Sequence, residues 1–439
     1  MIVLWFYIIF VTMQRFKKFL KFVWQKGAIH IFTGSFLNKF VVFFGSIVIV
    51  RLLSKTEYGM LGYAENLYSF ASILAGVGIS NAIMRYVVLA QTVEEKKAVF
   101  FFSSRLAFKF NIILVALLEI INFFYPHSEG FEACRVYIYI MLISLPFQYY
   151  VDNGLALERA MFSNKKYALL SLATSASIII SKLVGASAAG LIGVIVLGVA
   201  VNFTLSLIMK YTSENKYFNE VQLNAITKEK KHQIISYSVQ YMITNGMWTL
   251  FMLIDIFMLG KLSNNPTVIA DYKVAYAWPA NISIICAAIG IFIAPYFIKN
   301  ENNPVWIRKN YIRTFLLSFI FVGAAGLVMI LLAKPLIYIY GGHDYYNIIP
   351  LMQILTIGSI INNGLRYTTA NIFAAMGRIK FNMAVSMLGI VVQILLNLYM
   401  IPKLGMYGPA VTGIVNYSIM AIILFVCFAK VNNLFSREK

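Results

Sequence analysis

GLIGVIVLGVAVNFTLSLIMK, residues 190–210, decides the class of this protein. Its one charge is Lys210, the last residue, and its centre, Val194-Ile195-Val196-Leu197, shows no alternation of polar and apolar positions. A bilayer core is about 30 Å thick, and about 20 helical residues cross it. Backbone amides in lipid need internal partners, so only helices or a closed barrel can span. Barrel strands alternate over about ten residues, and this block does not. It reads as a transmembrane helix.

Similar blocks fill the chain, near 31–53, 60–88, 99–124, 136–158, 167–186, 234–260, 274–298, 314–340, 347–376, 381–402 and 407–429. Hydrophobic residues make up 60% of the 439 positions and charged ones 12%, which puts the chain in the membrane class. No gap holds a second domain. The expectation is an all-α integral membrane protein of about twelve transmembrane helices. Its organisation divides into an N-terminal segment at 1–28, a first six-helix half at 29–211, a linker at 212–233, a second half at 234–430 and a tail at 431–439.

The net charge of +20 follows topology. With the N-terminus inside, one set of connections carries most of the basic residues, in clusters such as Arg15-Lys17-Lys18-Lys21, Lys228-Lys230-Lys231 and Arg308-Lys309-Arg313. The positive-inside rule then places both termini in the cytoplasm. Anionic lipid head groups are the expected partner of this charge, and nucleic acid is not. Residues 1–12 are apolar but too short to span. Phe16, Phe19, Leu20 and Val23 then recur at helical spacing opposite Lys17, Lys18 and Lys21, a basic amphipathic helix for the inner leaflet. Cys134, Cys286 and Cys427 are scattered, as are the four histidines, so neither a disulfide framework nor a metal site is expected.

The two halves match at a nearly constant offset. Gly190, Gly193 and Gly198 recur as Gly405, Gly408 and Gly413, and Ala160-Met161 recurs as Ala375-Met376. Six helices per unit keep the orientation, which predicts parallel repeats with a substrate site between them near the midplane.

Charges inside a hydrocarbon core are costly unless they face a cavity or a partner, so intramembrane polar residues are the candidate site. The first span carries Lys39 beside Asn38. The second carries Glu65, Ser69 and Ser72, then Asn81 and Arg85 at spacings of three and four. The third has Arg105 and Lys109 one turn apart, and the fourth has Asp152-Asn153. Tyr237, Tyr241, Thr244, Trp248, Phe251 and Asp255 form a stripe on the seventh, flanked by Gln240 and Asn245. The eighth adds Lys273 and Asn281, and the tenth has Ser359, Asn363 and Arg366 on one face. The competing reading gives Lys39, Arg85, Arg105, Lys109 and Lys273 to head groups by snorkelling. It makes Asp152 and Arg366 an inter-helix pair.

The chain has no phosphate-binding glycine loop ending in Lys-Ser or Lys-Thr, no Gly-x-Ser-x-Gly and no His-Glu-x-x-His. No enzyme activity and no cofactor are expected.

Arg51-Leu52-Leu53-Ser54-Lys55-Thr56-Glu57-Tyr58-Gly59, followed by Gly76-Val77-Gly78-Ile79-Ser80-Asn81-Ala82-Ile83-Met84-Arg85-Tyr86, resembles the bacterial polysaccharide flippases of the Wzx type. These belong to the multidrug/oligosaccharidyl-lipid/polysaccharide (MOP) exporter superfamily. The resemblance runs from about Met13 and includes the basic connection Met376-Gly377-Arg378-Ile379-Lys380. Residues 1–12 depart from the usual start, which makes Met13 an alternative first residue. The resemblance implies translocation of undecaprenyl-pyrophosphate-linked oligosaccharide, an O-antigen or capsular unit, across a bacterial inner membrane. It implies alternating access, and a polysaccharide polymerase and chain-length proteins as pathway partners. Cationic residues would hold the pyrophosphate, amides and aromatics would line the sugar's path, and Glu65, Asp152 or Asp255 would couple transport to a proton or sodium gradient. A drug or cation antiporter of the same superfamily is the alternative. A polysaccharide polymerase or ligase is a further one, though it would need a sizeable outside loop.

Overall fold

In the computed structural model, residues 28–432 are described. The N-terminal segment and its amphipathic helix lie outside them, as does most of the tail. The described residues are predominantly helical, with no strand among them. Eight helices among them are long and apolar enough to cross a membrane, or nine if Pro266–Gly290 and Ile293–Lys299, bent by 41°, form one span. The protein is a multi-pass membrane protein. Large apolar side chains such as Ile113, Phe321 and Leu331 stay exposed, as lipid-facing residues do.

Several sequence blocks take other forms. The fourth splits into Cys134–Ile143 and Leu145–Ala160, because Pro146 has no N–H to continue the ladder. Blocks five and six run on as Asn164–Met209, folded back at Ala189 (φ −146°) and Gly190 (φ 60°, ψ −141°). Gly185 then meets Gly193 so closely that a Cβ on Gly185 would stand 2.4 Å from the Gly193 carbonyl. Gly405, 215 residues after Gly190, adopts φ 56°, ψ −130° and ends the helix Ile379–Leu404. A second pair of turns shares the same spacing. Phe162 N–H donates to the Arg159 carbonyl and Ser163 N–H to that of Glu158; Gly377 donates to Ala374 and Arg378 to Phe373. This is one helix-ending motif in two places.

The second block is interrupted. Lys55–Leu74 ends at three successive left-handed residues, Gly76 (φ 55°), Val77 (φ 52°) and Gly78 (φ 71°), and Ile79–Leu89 resumes. Asn81 and Arg85 therefore do not continue the Glu65–Ser69–Ser72 stripe. Helical spacing does not carry across a break in handedness.

The chain forms two compact units. Unit 1 comprises residues 1–49, 75–119 and 140–241. Its helices close on small residues: Gly45 receives Ile179 and Gly154 receives Met209, and Asn38 Nδ2 donates to Ser171 Oγ at 2.7 Å. Tyr149 and Asn111 hold the left-handed break, with Asn111 Oδ1 accepting Gly76 N–H at 2.6 Å and Tyr149 Oη accepting Ser80 N–H at 3.1 Å.

Unit 2 comprises residues 50–74, 120–139 and 242–439. Here the motif Ser54-Lys55-Thr56-Glu57 gains a physical meaning. Ser54 Oγ accepts Glu57 N–H at 3.2 Å while Glu57 Oε2 accepts Ser54 N–H at 3.0 Å, a capping box that starts the helix. Gly59 then seats the helix against the Pro266 carbonyl, where a Cβ would come within 1.9 Å. Two ion pairs fix the register against Pro266–Ala280: Lys55–Asp271 at 2.6 Å and Lys273–Glu65 at 2.9 Å. The apolar core gathers Phe251, Phe297, Tyr311, Phe373 and Phe428, with Tyr311 stacked on Phe428 at 3.8 Å.

Candidate functional site

The richest polar cluster lies within unit 2. Asp255 projects from Lys228–Ser263 and accepts three hydrogen bonds: from Gln393 Nε2 at 2.6 Å, Asn397 Nδ2 at 2.7 Å and Tyr272 Oη at 3.2 Å. Asn416 extends the network, donating to Gln393 Oε1 at 2.7 Å and to the Gly389 carbonyl at 2.8 Å. Gln393, Asn397 and Asn416 are buried, and no cation pairs with Asp255 among the described residues. The Oδ1 atoms of Asn397 and Asn416 have no donor there either. A carboxylate without a cationic partner is a hard-cation ligand. Asp255, Tyr272, Ser359 and Tyr417 line a cavity of about 60 Å³, room for a small ion or a few waters.

Arg366 occupies the same unit. It sits in a π-helical turn, Ile361–Tyr367, that interrupts the tenth block between Ile349–Ile360 and Thr368–Ala375. Such widened turns recur at functional sites. Asn363 anchors it, its Nδ2 donating to the Ser359 carbonyl at 2.9 Å and its own carbonyl accepting from Cys286 Sγ at 2.9 Å. The Arg366 guanidinium lies 4.4 Å from the Trp248 ring centroid and donates to Asn362 Oδ1 at 3.4 Å. It is 5% exposed, and among the described residues of its unit its Nε has no acceptor and no carboxylate pairs with it. Within its unit the guanidinium is thus met by an indole face and an amide. Trp248 stacks on Phe251 at 5.3 Å, and Phe251 meets Tyr417 at 5.9 Å. Aromatic rings therefore lead from Arg366 to the cavity beside Asp255.

Unit 1 places its candidates differently. Arg85 is exposed, with its guanidinium 5.0 Å from the Tyr237 ring centroid, and Asn81 is half-buried one turn earlier. Lys39, Asp152 and Gln240 are exposed, and Gln240 Nε2 donates to Ser236 Oγ at 3.2 Å. Asp152 is thus at a surface of its unit; its neighbour Asn153 is buried. In unit 2, Glu65 and Lys273, separate candidates in the sequence, are each other's partner.

Two groups escaped the sequence reading. Gln393 and Asn397 stand one turn apart in an apolar block, and that i, i+4 spacing was the available signal. Glu158 is fully buried, ion-paired to Lys166 at 2.5 Å, and accepts from Ser213 Oγ at 2.6 Å and Tyr217 Oη at 2.9 Å.

Residues 48–350 match the family described as polysaccharide biosynthesis protein. An uncharacterized membrane protein of Methanocaldococcus jannaschii is 22% identical over 421 residues, covering 88% of this chain and 80% of its own. Among solved structures, an inward-facing multidrug resistance MATE family transporter of the MOP superfamily superposes with a TM-score of 0.70 at 15% identity, covering 91% of this chain and 96% of its own. The lipid II flippase MurJ, inward closed, gives 0.71 at 14% identity, covering 91% and 87%. The match to the family spans well over half of the sequence, and the fold is that of these transporters. The chain belongs to the polysaccharide biosynthesis protein family and shares the fold of these two solved transporters.

Proposed function

We propose that the protein is a flippase. It moves an undecaprenyl-pyrophosphate-linked oligosaccharide, an O-antigen or capsular unit, from the inner to the outer leaflet of a bacterial inner membrane. The observation that carries this reading is Arg366, a buried guanidinium committed to an indole face and an amide rather than to a carboxylate. A guanidinium so placed can exchange a weak amide contact for bidentate hydrogen bonds to pyrophosphate. The aromatic rings and amides beside it suit a sugar's apolar faces and hydroxyls. Arg85 is a further candidate contact for an anionic cargo, and the lipid tail would stay in the bilayer. Two six-helix halves with cytoplasmic termini would alternate access, and the repeated turns at 161–163 and 376–378 support that duplication. Asp255, at the wall of the cavity, would bind the coupling proton or sodium ion. A polymerase and chain-length proteins would receive the product.

The test is a deletion strain whose lipid-linked sugars are identified by mass spectrometry. Accumulation of complete undecaprenyl-linked units, cleared by the wild-type chain, is the expected result. The antiporter reading draws on the cation-like Asp255 cluster and the likeness in fold to a multidrug transporter. It requires unchanged lipid-linked sugars together with reduced export of cationic drugs.

A further inference from the structure

Unit 1 holds a separate open pocket of about 320 Å³, within the size range of small-ligand sites. Phe101, Phe102 and Leu106 of the helix Val93–Phe124 form one wall; Leu223 and Ile226, from the irregular segment at 219–227, form the other. Three cations converge on it: Arg105 and Lys109, one turn apart, and Lys231 from the first turn of Lys228–Ser263. Arg105 lies 5.5 Å from the Phe101 ring centroid and Lys231 lies 5.6 Å from that of Phe102. Among the described residues, none of the three pairs with a carboxylate.

Neighbouring cations are used otherwise. Lys97 Nζ donates to the carbonyls of Phe218 and Val221 at 2.8 and 2.5 Å, pinning the segment that forms the wall. Lys230 pairs with Glu95 and so ties the start of its helix to that of Val93–Phe124. The frame is therefore fixed by its own lysines, while Arg105, Lys109 and Lys231 keep their charges without a carboxylate partner among the described residues. Three positive charges between apolar walls match an amphiphile with an anionic head. Leu223 in the wall is 49% exposed, and with Phe101, Phe102, Leu106 and Ile226 it offers apolar surface that a detached phosphate would not use.

We propose that this pocket binds the phosphate head group of an anionic phospholipid, with Arg105, Lys109 and Lys231 around the phosphate and the acyl chains along the apolar walls. The site is independent of the transported cargo, so its fate does not hang on the flippase reading.

The test uses the full chain purified in detergent and titrated with phosphatidylglycerol, phosphatidylcholine or soluble glycerol phosphate, with bound copies counted by intact mass spectrometry. Phosphatidylglycerol is expected to bind, and the Arg105→Gln/Lys109→Gln/Lys231→Gln variant to weaken it about a hundredfold, from roughly fivefold per cation. A control that removes equal charge elsewhere, Lys299→Gln/Lys309→Gln/Arg313→Gln, should leave this binding unchanged. Equal losses in both variants, or equal binding of phosphatidylcholine, overturn the proposal. Glycerol phosphate binding as tightly as the lipid overturns its lipid part. Asn224→Trp keeps every cation while filling the pocket and should weaken phosphatidylglycerol at least tenfold. Unchanged binding in that variant overturns the proposal even if the triple variant fails to fold.

Discussion

Glu158 in unit 1 and Asp255 in unit 2 are both carboxylates in a predominantly apolar protein, and their surroundings differ in kind. Glu158 has Lys166 at 2.5 Å and two hydroxyl donors, so its charge is cancelled on site. Asp255 has two amides and a phenol, which orient a carboxylate without neutralising it. The first arrangement is complete as it stands. The second is suited to a mobile cation, because its charge is left for a visitor to balance. A buried carboxylate therefore marks a working site only when its partners leave the charge open.

The sharpest way to break the comparison is Glu158→Ala. Removing one partner of a buried pair costs about 3–5 kcal/mol, and the lower end is expected because the Lys166 side chain is 25% exposed. Membrane abundance and the melting temperature of the purified protein should both fall; near-wild-type values would show that Glu158 is no keystone. Arg366 comes next. Arg366→Ala should lower transport by one to two orders of magnitude, as for loss of a charged hydrogen bond of about 1.5–3 kcal/mol. Arg366→Lys should recover part of it, with charge kept and the fork lost. Full surface polysaccharide with Arg85 and Arg366 both changed to Ala would remove them as substrate contacts.

Asp255→Asn probes the other side. It should leave stability within about 1 kcal/mol, since an amide replaces a carboxylate in place. It should also abolish any stabilisation of the protein by sodium over potassium. Retained sodium dependence would move the coupling site elsewhere.

The smallest effect belongs to a group between the spans. His127 is half-buried, bonded to Asn122 at 3.0 Å. Burial, with repulsion from Arg135 and Lys261, lowers its pKa to about 4. The unfolded chain takes up the proton near 6.5, so the contribution of neutral His127 is full above that pH. It is lost as pH falls toward 4. Melting curves between pH 7 and 4 should show a steeper decline in wild type than in His127→Gln, by under about 2 kcal/mol after allowing for solvent.

Much of this was legible from apolar runs, because lipid imposes so few choices on a backbone. The runs located most of the helices, but the Ser54–Glu57 capping box, which starts one of them at Lys55, was read only as part of a family resemblance. Pairings were less accessible. Glu65 and Lys273 both stood out as charges, yet 208 residues separate them, and no local spacing announces such a partner. Gln393, Asn397 and Asn416 were passed over because neutral amides barely disturb an apolar block; their importance lies in what they face. Arg366 stood out as a charge, but the π turn that carries it depends on how Asn363 bonds Ser359 and Cys286.

The three left-handed residues at 76–78 have one more consequence. Val77 resists this conformation by about 1–2 kcal/mol, and Tyr149 and Asn111 grip the residues beside it. A joint held against its own preference behaves as a clamped elbow rather than a loose link. The break and the side chains that clamp it all belong to unit 1. Tyr149→Phe would loosen this clamp, removing the hydroxyl that bonds Gly76 and Ser80.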